Sequence, residues 1–150
     1  KLYASMGDCQ LVLRYFALKD AENIRGSVKA MLDRDMDRKV ADADIEALKA
    51  EYRDTFRFLY EVFDGNPFAL PPDEKGNVRI SAAIYDASMV AANQLYRHKD
   101  AILADAVSVR TRMQSTLNDS DQFTVLTGSG NTANSIRERI ALMKTILRPE

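Results

Sequence analysis

Along most of this chain apolar residues return every three or four positions, and short polar or glycine- and proline-bearing breaks interrupt them, which is the pattern of packed amphipathic helices. From Asp8 to Lys19, Leu11, Val12, Tyr15, Phe16 and Leu18 keep close to that spacing and predict a first helix. After the charged link Asp20-Ala21-Glu22-Asn23, Ser27 is placed to cap a second helix carrying Val28, Met31, Leu32 and Met36 on one side. Asp42 or Asp44 caps a third, where Ile45, Leu48, Tyr52, Phe56, Leu59, Tyr60 and Phe63 hold the period for about five turns. Asp64-Gly65-Asn66-Pro67 ends it, glycine supplying a left-handed turn and proline forbidding continuation.

The stretch from Phe68 to Arg79, with Pro71-Pro72 and Gly76-Asn77, reads as one long loop with a short extended piece near Val78 to Ile80. Ser81 then caps a helix whose many alanines suit close approach, which places it at the centre of the bundle. A fifth helix is predicted from Lys99 to Leu117, and Ser120 or Asp121 opens a short turn through Leu126. Thr132 caps the last helix, with Ile136, Ile140, Met143 and Ile146 or Leu147 facing inward. The expectation is an all-α bundle of about six helices, folded as a single domain over residues 1–150.

Composition changes this picture little. The chain is 46% apolar and 29% charged, with 21 basic and 22 acidic residues and a net charge of -1, so the molecule as a whole is no electrostatic clamp for DNA. No apolar run approaches the ~20 residues needed to span a bilayer, and the first residues lack a secretory signal pattern. A single cysteine, Cys9, rules out an internal disulfide and fits a reducing, cytoplasmic setting. The start at Lys1 rather than methionine is read as a fragment of a larger protein.

Candidate chemistry is sparse. His98 is the lone histidine, flanked by Arg97 and Lys99, and reads as solvated or capping; Cys9 reads as a small buried apolar residue, so neither a zinc site nor a Cys-His pair is expected. Asp33, Asp35 and Asp37 open like a calcium loop, but Arg38 stands where glycine is needed and Asp44 where glutamate is preferred. They read instead as a charged helix face with Lys29–Asp33 and Asp35–Lys39 pairs, rather than as a small magnesium-dependent nuclease. Thr127-Gly128-Ser129-Gly130-Asn131 leads into the last helix, a setting in which backbone N–H groups hold anions. Arg137, Lys144 and Arg148 fall on one stripe behind it; loop and stripe read either as a flexible loop and a solvated face complementing the helix C-terminus or as a candidate anion or nucleic-acid site. Arg14 and Asp86 are charges embedded in apolar helices, and the reading for them is that they pair with each other, or with Asp8 and a helix end, and fix helix register rather than contact a ligand. No catalytic residue, metal site or cofactor is expected.

Three stretches, taken together, carry a resemblance. They are Asp8-Cys9-Gln10-Leu11-Val12-Leu13-Arg14-Tyr15-Phe16-Ala17-Leu18-Lys19-Asp20, then Ala83-Ile84-Tyr85-Asp86-Ala87-Ser88-Met89-Val90-Ala91, then Leu126-Thr127-Gly128-Ser129 with Ser135-Ile136-Arg137-Glu138-Arg139-Ile140. In order and spacing they resemble the C-terminal helical half of the GmrS-like family, in which the N-terminal half is a ParB/sulfiredoxin-like domain. The family includes the S part of GmrSD modification-dependent restriction enzymes and relatives in phage-defence islands. Its Asp-Gly-Gln-Gln-Arg nucleotide-hydrolysis motif has no counterpart here, nor has the His-Asn-His nuclease signature of related proteins. The resemblance therefore implies a catalytically silent part of a bacterial defence protein, and with the Thr127 loop, Arg137, Lys144 and Arg148 it gives the expectation of a non-catalytic module that supports DNA engagement or sensing. Implied partners are the N-terminal ParB-like domain of the same parent chain and DNA, and oligomerisation stays open. The alternative is a protein-interaction scaffold, suggested by the aromatic surface of Tyr52, Phe56, Tyr60, Phe63 and Phe68.

Overall fold

The computed structural model describes residues 7–39, 44–128 and 130–149; the side chain of Asp8, the alternative cap Asp42 and the loop residue Ser129 lie outside the described set. Eight α-helices follow in order: α1 Gly7–Lys19, α2 Val28–Lys39, α3 Ile45–Val62, α4 Ala82–Gln94, α5 Lys99–Ala104, α6 Ala106–Asn118, α7 Ser120–Thr127 and α8 Ala133–Leu147. Short 3-10 turns at Ala21–Asn23 and Tyr96–His98 join α1 to α2 and α4 to α5.

The helix starts follow local chemistry. Ser27, Asp44, Ser81 and Thr132 each accept a backbone N–H of the first turn, from Ala30, Ala47, Ile84 and Ser135 respectively. The end of α3 is a left-handed pair, Asp64 at φ 51° and Gly65 at φ 85°.

The count of eight exceeds the expected six for two reasons. The expected fifth helix breaks at Asp105, where φ -98° and ψ 15° leave the helical range and the carboxylate is drawn to Arg112 at 2.9 Å. The stretch after it is a full eight-residue helix, α7, and its cap is Asp119 rather than Ser120 or Asp121. The Asp119 carboxylate accepts from the N–H groups of Asp121 and Gln122.

Helix α4 is the centre. Every residue from Ile84 to Ala92 is buried, and α8, α1, α3 and α7 all pack on it. Its alanines let those neighbours approach closely from several sides. One apolar cluster gathers Tyr15, Leu59, Ile84, Met89, Ile102 and Met143; a second gathers Leu18, Ile24, Met31, Val90, Ile136 and Ile140. Val90 places α4 in both clusters, so they share one central helix.

The expected long loop is pinned at its base. Leu70 N–H donates to Arg79 and Ser81 N–H to Phe68, and an antiparallel bridge pairs Ala69 with Ile80. Phe68 is buried against Tyr85, edge to face at 5.0 Å, while Val78 and Ile80 stay exposed. Cys9 is exposed, contrary to the expected burial. It lies in the first turn of α1, ahead of Tyr15, where the fully buried part of that helix begins. No helix among the described residues is long and apolar enough to cross a membrane.

Candidate functional site

The first polar feature is built across three helices. Arg14, on the inner side of α1, donates through Nε to both Asp86 oxygens at 3.1 and 3.0 Å, and through Nη2 to Oδ2. Asp86 is 1% exposed on α4. Burial raises its pKa above the ordinary carboxylate value, against the hydrogen bond and charge of Arg14 and the charge of Arg139. The bond to Asp86 raises Arg14 in turn. Arg139 of α8 is 2% exposed, and burial lowers its pKa, Asp86 opposing and Arg14 reinforcing that effect. One guanidinium thus pairs with the carboxylate, and a second acts on it by its charge.

Arg139 also explains the loop before α8. Its Nε donates to the Val125 carbonyl at 3.3 Å, and its Nη2 to the carbonyls of Gly128 and Gly130 at 2.7 and 3.0 Å. The loop therefore turns these carbonyls inward onto a buried cation. Thr127, read from sequence as an anion ligand, gives its hydroxyl proton to the Phe123 carbonyl one turn back at 2.7 Å. Gly128 is required for a steric reason: a Cβ there would stand 2.4 Å from the Thr124 carbonyl oxygen. Its glycine permits close passage over the end of α7.

The basic stripe of α8 is reorganised. Arg137 is exposed and donates through Nη2 to the Ile24 carbonyl and through Nη1 to Asn134 Oδ1 at 3.5 Å. Lys144 is half-buried two turns further on. Arg148 stands past the last helical residue with an extended backbone, and its carbonyl accepts from Arg112 at 2.9 Å. Arg148 thus leaves the helical stripe, while Arg112 closes the C-terminus of α8 through Ile146 and Arg148.

Arg137 meets a second polar knot at the α1–α2 connection. Asn23 is fully buried and donates to the carbonyls of Ala17 and Met31, both at 2.9 Å. Arg34 donates Nε to Asn23 Oδ1 at 3.0 Å and Nη2 to the Asn23 and Arg25 carbonyls at 2.9 and 2.6 Å. Arg34 and Arg137 therefore grip the carbonyls of residues 23, 24 and 25, beside the exposed Arg25. Carbonyl partners orient a guanidinium without cancelling its charge, so this connection carries a fixed cationic collar.

The remaining candidates separate. Asp35 is buried and paired with Lys39 at 2.7 Å, whereas Asp33 and Asp37 are exposed, and Lys29–Asp33 is absent from the ion pairs of the described residues. Among the described residues no group of three or more His, Cys, Asp or Glu side chains is placed to hold a metal ion. His98 is exposed, accepting from Arg97 Nε at 2.9 Å. Of the aromatic set, Phe63 and Phe68 are buried, Tyr52 half-buried, and Phe56 and Tyr60 exposed. An apolar groove of about 640 Å³ opens between α1, α2 and α3, lined by Val12, Phe16, Met36, Ile45, Leu48 and Tyr52.

Arg139, Arg34 and Arg25 are the residues that sequence reasoning missed. Arg139 had a usable signal, a charge on the inward period of Ile136, Ile140 and Met143, as Arg14 and Asp86 have on theirs. Arg25 and Arg34 had none, because only the packing of α8 against the α1–α2 connection brings them beside Arg137. Set against family models, curated proteins and solved structures, the chain matches none of them.

Proposed function

We propose that this chain is a non-catalytic helical module that engages the phosphate backbone of DNA for a larger bacterial, ParB-like restriction or defence protein. The observation that supports the reading is the cationic collar. Arg34 and Arg137 are oriented by backbone carbonyls, Arg25 stands beside them, and Lys144 extends the same side of α8. Guanidinium groups held in this way suit phosphate oxygens, which accept paired N–H donors. The family and the ParB-like partner rest on the resemblance of the three sequence stretches, and the collar supplies the physical means.

The test is a fluorescence-anisotropy titration with duplex DNA, plain and base-modified, at low and moderate salt. Binding that weakens with salt is expected, and each basic group removed from the phosphate backbone makes the logarithmic salt slope shallower by ~0.9. Arg25→Ala combined with Lys144→Ala takes away two such groups while leaving Asn23 and its partners in place. A preference for modified duplex ties the module to target sensing. Absence of binding, or binding indifferent to salt and to both substitutions, overturns the DNA reading. The apolar groove between α1, α2 and α3 then favours the second reading, an interaction scaffold for the adjoining ParB-like domain.

A further inference from the structure

The three stretches that carry the sequence resemblance are far apart in the chain, and the fold brings them to one opening. A cleft of about 440 Å³ is lined by Gln10 and Arg14 of α1, Ser81 and Ala83 at the start of α4, and Gly128 and Asn131 before α8. That volume lies within the ~300–1,000 Å³ of small-molecule sites. We propose that this cleft binds a small phosphate-bearing molecule of mononucleotide size.

Three features point to an anion. The Nη1 of Arg14 has no hydrogen-bond partner among the described residues, since Asp86 engages only Nε and Nη2, and Arg14 lines the cleft. Behind it, the charges of Arg14 and Arg139 both act on the single carboxylate Asp86, so the buried cluster holds two cations to one anion, with Arg139 also held by the Val125, Gly128 and Gly130 carbonyls. Arg139 is linked to the cleft wall directly, through its bond to the Gly128 carbonyl at 2.7 Å. The first turn of the 13-residue α4 also opens at the rim, so the positive end of its backbone dipole adds to the same field. Gln10, Ser81 and Asn131 supply neutral polar groups that suit the remainder of an organic phosphate. The cationic collar is a separate feature, and the two sites are separable by mutation.

The experiment titrates the chain with inorganic phosphate, adenosine monophosphate and adenosine, following backbone amide shifts and calorimetric heat. Phosphate and the monophosphate are expected to bind and to shift Ala82, Ala83 and Asn131, while adenosine is not. Arg14→Lys removes the planar fork and is expected to weaken binding, but it also disturbs the pair with Asp86. A second variant avoids that problem. Ala82→Asp puts a carboxylate at the exposed first position of α4, where an acidic residue suits the helix dipole. It is expected to fold with an unchanged or higher Tm and to weaken phosphate binding by about tenfold or more. Arg25→Ala with Lys144→Ala is expected to leave phosphate binding unchanged, which keeps this result distinct from DNA binding at the collar. No binding of phosphate or monophosphate, equal binding of adenosine, or binding that Ala82→Asp leaves intact overturns the proposal.

Discussion

Tyr15 and Tyr85 show how a single side chain joins apolar packing to a polar function. Both rings are buried, and both hydroxyls find partners: Tyr15 donates to Glu51 at 2.8 Å, and Tyr85 to the Leu11 carbonyl at 3.0 Å. Burial is the main cause that raises both phenols well above their ordinary pKa of 10.0. The folded chain therefore keeps two protons that the unfolded chain releases above that pH. Stability is fully present below pH 10.0 and falls as pH rises past it. A tyrosinate absorbance titration is expected to show two of the six tyrosines ionising only as helicity is lost. Smooth ionisation of all six in the folded chain would contradict it. At this scale the sequence was partly legible. A charge on an apolar period, as at Arg14 and Asp86, announces a buried polar group, because an uncompensated charge does not persist there. The same signal marks Arg139, but the identity of its partners does not follow, since they are loop carbonyls.

Helices are legible where their cause is local. Ser27, Asp44, Ser81 and Thr132 cap what they were expected to cap, because a side-chain oxygen reaches an N–H two or three residues ahead without help from the rest of the fold. The break between α5 and α6 was not legible, because Ile102, Leu103, Ala106 and Val109 continue the apolar period across Asp105. Its interruption belongs with the contact to Arg112. The loop between α7 and α8 yields a sharp prediction at this scale. Gly128→Ala forces a Cβ against the Thr124 carbonyl oxygen and is expected to cost about 1–3 kcal/mol in chemical denaturation, the range for overpacking a tight contact. The corresponding change at Gly76, where an added Cβ meets nothing within 4 Å but φ is +78°, costs only backbone strain. Equal, negligible losses at both positions would remove the steric account of Gly128.

For the whole molecule, α4 is the common wall. Both apolar clusters include it, and α1, α3, α7 and α8 all pack on it. A bundle that shares its central helix between two cores cannot release one core without exposing the other. Unfolding is therefore expected to be a single transition, with coincident far- and near-ultraviolet circular dichroism curves in urea. Two separated transitions would show that the clusters around Tyr15 and Met31 melt independently.

The division between sequence and tertiary structure follows the range of the forces involved. Apolar periodicity, caps and the glycine-proline stop act within a few residues, so the all-α class, most helix starts and the central place of the alanine-rich helix could be read from the chain alone. Helix number near Asp105, the outward turn of Cys9 and the inward turn of the Gly128 and Gly130 carbonyls depend on contacts made across the fold. So do the collar of Arg25, Arg34 and Arg137 and the cleft at Arg14. The buried charges Asp86 and Arg139 find partners because groups of distant segments share low-dielectric space, where partners are set by three-dimensional proximity rather than by spacing along the chain.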